Sequence, residues 1–138
     1  SLDSKQGRYS MTEDYFEKTK GFGVLSTADD KGLVNSAVFS RPHIMEDGTY
    51  GFIMPERLTW ANIEVNPNAS FLFREEVSGY KGVRLQLKKA RVIDDADVIE
   101  PYRRRTYSAA DENRMKPLHL VCFELGRELP LIGQGSDS

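Results

Sequence analysis

The sequence predicts a mainly β domain, a small antiparallel barrel with two or three flanking helices. Six stretches of its 138 residues read as strands, most of them with apolar and polar residues alternating at period two. Short turn signals such as Asp29-Asp30-Lys31-Gly32 and Glu46-Asp47-Gly48 separate several of them. Closure into a barrel removes the exposed sheet edges that so many strands in one small domain would otherwise present.

The elements follow in order. Ser10-Met11-Thr12-Glu13 has the S-x-x-E form of a capping box and predicts a helix over 12–20, closed by Gly21. Phe22 to Ala28 and Val34 to Arg41 are strands, the second with Ala37 and Phe39 on one face and Val34, Ser36 and Val38 on the other. Asp47-Gly48 supplies the positive φ of a tight turn before a strand at Tyr50 to Met54, so these three strands read as a meander. Leu58, Ala61 and Val65 recur at helical spacing, and Pro67 ends that helix near Asn66. Ala69 to Arg74 and Val83 to Ile93 resume the strand pattern, the latter with Val83, Leu85 and Leu87 opposite Arg84, Gln86 and Lys88. Asp94 to Tyr107 reads as a helix with Pro101 in a first turn or at a kink, and Leu118 to Leu125 is the last strand. One domain spans 1–138, with tails at about 1–8 and 130–138.

Composition narrows the function. Nineteen Lys and Arg against 21 Asp and Glu leave a charge of −2, and the pI is about 5.7. A general nucleic-acid binder needs a net basic face to displace counterions, so no nucleic-acid partner is expected. Cys122 is the single cysteine, which excludes an intrachain disulfide and a Cys-based zinc site, and no metal is expected. No apolar run reaches membrane-spanning length, and no signal core precedes the domain, so a cytoplasmic location without membrane attachment is expected.

Common catalytic signatures fail. Gly21-Phe22-Gly23 lacks a third glycine and precedes a strand, and there is no phosphate-loop, G-x-S-x-G or H-E-x-x-H motif. His119, inside a strand, reads as a packed or interface residue. Tyr102 to Tyr107 with Arg103, Arg104 and Arg105 reads as a solvated helix whose bases follow acids near its start. The informative stretch is Asn35 to Phe73. Arg57, Thr59 and Asn62 cluster where a strand ends and a helix begins, and free amides there suit an anion. Asn35, Ser36 and Ser40 add polar groups from a neighbouring strand. The same residues also admit an ordinary reading, with Thr59 capping the helix, Asn62 exposed and Arg57 in a surface ion pair.

Several segments match a known family in their order. Gly23-Val24-Leu25-Ser26-Thr27 and Asp30-Lys31-Gly32 form a hairpin before a strand through Ser36, Ala37 and Val38. Asp47-Gly48 and the strand Tyr50 to Met54 follow. Then come Asn62-Ile63-Glu64-Val65-Asn66-Pro67, a strand Ala69 to Phe73, and Gly82-Val83-Arg84-Leu85-Gln86-Leu87. Over Tyr9 to Leu125 the chain resembles the pyridoxamine 5'-phosphate oxidase-like family of FMN-binding split barrels.

That resemblance implies a six-stranded antiparallel split barrel and a homodimer with two FMN sites at its interface. Carried over by position, the cofactor residues are Asn35, Ser36, Val38, Met54, Arg57, Thr59 and Asn62. Many members have a lysine where Thr59 stands, which leaves Arg57 to supply the charge. Arg84 or Arg41 is expected near the pyrimidine end of the flavin, and Trp60, Phe39 or Tyr80 over a ring face. The implied function is a flavin-dependent oxidoreductase acting on a small molecule. Two alternatives stay open: a non-catalytic flavin carrier or electron-transfer protein, and a split barrel holding another planar cofactor such as haem. Only His43 and His119 could give haem a histidine ligand. No titratable residue stands out as a catalytic acid or base. Vitamin B6 oxidation is not expected, because Gly126 to Leu131 holds one Arg and no His where the dedicated oxidases use several.

Overall fold

The structure, a computed structural model, describes residues 15–106 and 117–133. The capping box at Ser10 to Glu13 and Tyr107 lie outside them. Among the described residues the strands are β1 (Gly21–Ala28), β2 (Val34–Val38), β3 (His43–Ile44), β4 (Tyr50–Pro55), β5 (Asn68–Glu75), β6 (Gly82–Ile93) and β7 (Leu118–Pro130). Two helices lie wholly within the described residues, α1 (Leu58–Val65) and α2 (Ala96–Thr106). All pairings are antiparallel, in the order β2-β1-β5-β6-β7-β4-β3. β2 and β4 stand at or next to opposite ends of that order, yet both line one cleft. The sheet therefore curls without closing, and the architecture is the mainly β split barrel with flanking helices that the sequence predicts.

Alternation places the core. Leu25 on β1, Phe71 and Phe73 on β5, Leu85 and Leu87 on β6, and Val121 and Phe123 on β7 all point into the barrel. Tyr50, Phe52 and Met54 join them from β4. The other face of β4 is covered as well, because Ile53 packs with Met45, Leu120 and Cys122 against Ile99 of α2. That double burial explains why Tyr50 to Met54 is apolar almost without a break. Phe16, fully buried, packs edge-to-face against Tyr50, Phe71 and Phe73.

Four expectations shift. The helix expected over 12–20 is helical at 15–18 in its described part, and Gly21 opens β1 instead of capping it. A Cβ at Gly21 would sit 2.5 Å from the Phe73 ring, and one at Gly23 2.5 Å from the Phe71 ring. Both glycines make room for aromatic rings. A seventh strand appears, β3, whose two residues are too short to show alternation. The expected meander is broken: β1 pairs with β2, but β4 pairs with β3 and β7. Arg41 anchors the crossing segment after β2 by donating to the Phe16 and Thr19 carbonyls at 3.1 and 3.0 Å. Finally, β7 runs to Pro130 because Arg127 to Pro130 re-pair with Val83 to Gln86 beyond a bulge at Gly126. Gly48 has the positive φ, 85°, that its turn predicts.

Candidate functional site

The break between β2 and β4 leaves a cleft of about 310 Å³. Asn35, Ala37, Val38, Phe39 and Ser40 form one wall, from β2 and its exit. Ile53 and Pro55 form the other, from β4, and Arg57, Leu58 and Thr59 close the end at the start of α1. The walls are mostly apolar, with Asn35 and Ser40 their polar members, and Arg57 and Thr59 make the end polar, as in small-molecule sites, which orient a ligand with a few placed donors.

The polar end follows from how α1 begins. Arg57 occupies the N-cap position with extended backbone, and no side chain caps the helix. The first helical bond runs from the Ala61 amide to the Arg57 carbonyl at 3.0 Å. The amides of Leu58, Thr59 and Trp60 thus precede the helical ladder, and the first turn holds no acid to offset their partial positive charge. An anion is the ligand that such an end favours.

Polar ties fix α1 on the barrel. Asn62, 4% exposed, donates from Nδ2 to Thr27 Oγ1 at 3.1 Å. Asn66, one turn later, donates to the Asp29 carbonyl at 3.1 Å, and Lys89 Nζ reaches the Ile63 carbonyl at 2.9 Å. The Asn-x-x-x-Asn-Pro segment therefore works as an anchor. Its two asparagines, four residues apart, share the helix side that meets β1.

Of the residues expected at a cofactor, Asn35, Val38, Arg57 and Thr59 meet at the cleft. Thr59 is buried at its edge and is not the N-cap. Ser36 lies on the opposite face of β2, its hydroxyl 2.8 Å from that of Ser26. Met54 is fully buried in the core, and its neighbours Ile53 and Pro55 face the cleft instead. Asn62 points to Thr27. Arg84 is engaged on the far side of the sheet, where Nε donates to the Pro130 carbonyl at 2.9 Å and Nη2 to that of Gly133. Phe39 lines the cleft, Tyr80 is exposed on the loop before β6, and Trp60 stacks elsewhere. Sequence reasoning did not single out Pro55 or Leu58 as wall residues: Pro55 stands beside a turn without a periodic signal, and the helical spacing of Leu58 with Ala61 and Val65 marks a helix, not a cleft wall.

Trp60 lies parallel to the ring of His119 on β7, with centroids 3.7 Å apart and planes 2° apart. His119 is 8% exposed, and both its nitrogens are engaged: Nδ1 lies 2.5 Å from Asp94 Oδ1 and Nε2 2.8 Å from Glu56 Oε2. Burial disfavours the imidazolium, but hydrogen bonds and charge from Asp94 and Glu56 together outweigh it and raise the pKa. The packed residue expected from sequence is thus a buried imidazole held by two solvent-reaching carboxylates where α1, β7 and the approach to α2 meet.

No protein-family model matches the chain, and no curated protein matches it in sequence. Solved structures do match. An FMN-binding protein from Syntrophomonas wolfei superposes with a TM-score of 0.63 at 18% identity, covering 96% of this chain and 97% of that one. HutZ, the heme storage protein from Vibrio cholerae, gives 0.66 at 16% identity over 88% and 92% of the two chains. General Stress Protein 26 from Bacillus anthracis gives 0.64 at 14% identity over 86% and 89%. Among the described residues no helix is long and apolar enough to cross a membrane. At these identities the likeness shows the fold, and that fold is the split barrel of the pyridoxamine 5'-phosphate oxidase-like proteins.

Proposed function

We propose that the cleft between β2 and β4 binds FMN by its phosphate and that the protein is a homodimeric flavin-dependent oxidoreductase acting on a small molecule. The observation that carries this is the uncapped start of α1, which places Arg57 and Thr59 at one end of an apolar cleft beside Asn35. A phosphate dianion needs charge-assisted donors, and Arg57 with the first-turn amides supplies them. Asn35, Ser40 and Thr59 offer neutral partners, and Ala37, Phe39, Ile53 and Leu58 offer apolar contact to a ring system. The site thus fits the group. When bound, flavin supplies hydride or single-electron transfer, while the protein contributes orientation and electrostatics.

The dimer rests on an uncovered apolar row. Val38, Val24 and Leu72 are cross-strand neighbours on the outer face of β2, β1 and β5, and Val38 and Leu72 are exposed. Val34 and Phe22 extend the row, at 74% and 55% exposure. Haem is disfavoured at His119, whose two nitrogens already face carboxylates. Protein incubated with FMN and passed through gel filtration should keep a flavin absorbance band and elute near twice the 15.7 kDa chain mass. Loss of all flavin on the column, or elution as a monomer, would count against this reading.

A further inference from the structure

The junction at His119 adjoins the cleft through the chain itself. Glu56, held by Nε2, is the residue immediately before Arg57, and Trp60, stacked on the ring, is the third residue of α1. Neighbouring Arg57, Leu58 and Thr59 line the cleft. One ring therefore grips both sides of the segment that would meet an anion.

The chemistry of that grip depends on a proton. Two carboxylate oxygens face the two ring nitrogens, and ionised carboxylates only accept hydrogen bonds. An imidazolium donates to both. A neutral imidazole has a single N–H, so one nitrogen must then present a lone pair to a carboxylate. The shorter contact, 2.5 Å to Asp94, keeps the proton, and Glu56 at 2.8 Å is the partner set free. Both carboxylates reach water, with the Glu56 side chain 47% and the Asp94 side chain 67% exposed, so the contact lengths and not the exposures select Glu56. With the imidazolium's positive charge gone, the Glu56 carboxylate next to Arg57 is no longer offset, and a bound phosphate there is repelled by it.

The charged groups facing the ring are Glu56 from the β4–α1 turn and Asp94 from the β6–α2 turn. β4 opposes it with Met54, α1 with Trp60, and its own strand flanks it with Leu118 and Leu120. On α2, Glu100 is taken by Arg103, and on β6 Arg91 is taken by Asp47.

We propose that His119 is a positioning residue for the cleft: its imidazolium holds Glu56 and Trp60, and with them the start of α1, in the arrangement that accepts an anion, and its deprotonation frees Glu56 and weakens anion binding. The inference rests on the reading of the cleft as an anion site. A raised His119 pKa agrees in sign, since the junction is then intact at acid to neutral pH and lost as pH rises through the folded value.

Trp60 is the only tryptophan in the chain, so its emission reports on the junction directly. A protonated imidazole in contact with indole quenches it. In the full chain, Trp60 emission should rise as pH climbs through the His119 titration, and the step should be absent in His119→Gln. FMN affinity, divided by that of His119→Gln at each pH, should fall about two- to fivefold across the same step, the size of one surface charge beside a helix start. The ratio cancels titration of the FMN phosphate, whose second pKa is about 6. Glu56→Gln should flatten the wild-type profile, because an amide can accept from the imidazolium or donate to the neutral ring. If His119→Gln does not fold, Glu56→Gln serves as the divisor. A ratio constant with pH overturns the inference. If FMN binds at no pH, the flavin reading fails, and the same ratio taken with inorganic phosphate decides the inference. Phosphate that binds without pH dependence, or does not bind, overturns it.

Discussion

Replacing Asn62 with alanine separates two roles for the residue, an anchor of α1 or a cofactor contact. In the structure its amide donates to Thr27 Oγ1 at 3.1 Å, and both side chains are less than 5% exposed. A net intramolecular hydrogen bond contributes about 0.5–1.5 kcal/mol, and a buried partner left unsatisfied costs about 1–3 kcal/mol. The expected destabilisation is therefore about 1–3 kcal/mol, a fall of roughly 3–9 °C in Tm for a domain of this size. Urea unfolding followed by Trp60 emission measures it, since Trp60 sits on the helix being loosened. Thr27→Val removes the acceptor while keeping the shape. The double-mutant cycle should give a coupling of about 1 kcal/mol between the two positions. Unchanged stability in Asn62→Ala, together with loss of FMN affinity, would refute the anchor and return Asn62 to the cofactor.

Other expectations concern the rest of the barrel. Tyr15 donates to Glu75 at 2.6 Å, and burial, then that bond, raise its pKa. The folded state holds this proton longer than the unfolded chain, so stability should fall as pH rises above about 10. Tyr15→Phe should lose that alkaline dependence in unfolding measured from pH 8 to 11. The Asp47 carboxyl is held down to about 2 by hydrogen bonds from the Thr49 side chain and backbone, then by Arg91. Thr49→Val should move its titration upward in carboxyl-detected NMR, while Arg91→Gln moves it less. Phe71 is fully buried and touches Phe16, Phe52 and Phe73. Phe71→Ala should cost about 3–5 kcal/mol in urea unfolding, a deficit that Phe71→Leu recovers in part.

Much of the barrel was legible in the sequence because its strands are half-buried. Leu85 and Leu87 are buried while Gln86 and Lys88 are exposed, the alternation a reader needs. Asp47-Gly48 identified its turn for a similar reason, since the backbone demand at Gly48 is local. Sheet order was not legible. Nothing in Phe39 to Pro42 says that the chain leaves β2 and crosses to the far end of the sheet, yet that crossing makes the cleft. β7 beyond Leu125 was hidden because the bulge at Gly126 shifts the phase of its pattern. The cleft was half legible. Asn35, Arg57 and Thr59 follow from a strand and a helix start and Val38 only from the family resemblance, whereas Asn62 and Met54 sit one face away from where position alone puts them. His119 acquires its meaning from Glu56 and Asp94, 63 and 25 residues away, and no spacing rule connects such partners.

The account stands on an anion bound where α1 begins. Flavin fluorescence titrations of wild type and Arg57→Ala with FMN and with riboflavin, which lacks the phosphate, test this most directly. A charged hydrogen bond contributes about 1.5–3 kcal/mol, and Arg57 is exposed, so the lower end applies. Wild type should bind FMN more tightly than riboflavin, and Arg57→Ala should lose roughly tenfold for FMN with little change for riboflavin. Equal weakening of both ligands, or no weakening of either, would contradict the account and place the phosphate elsewhere.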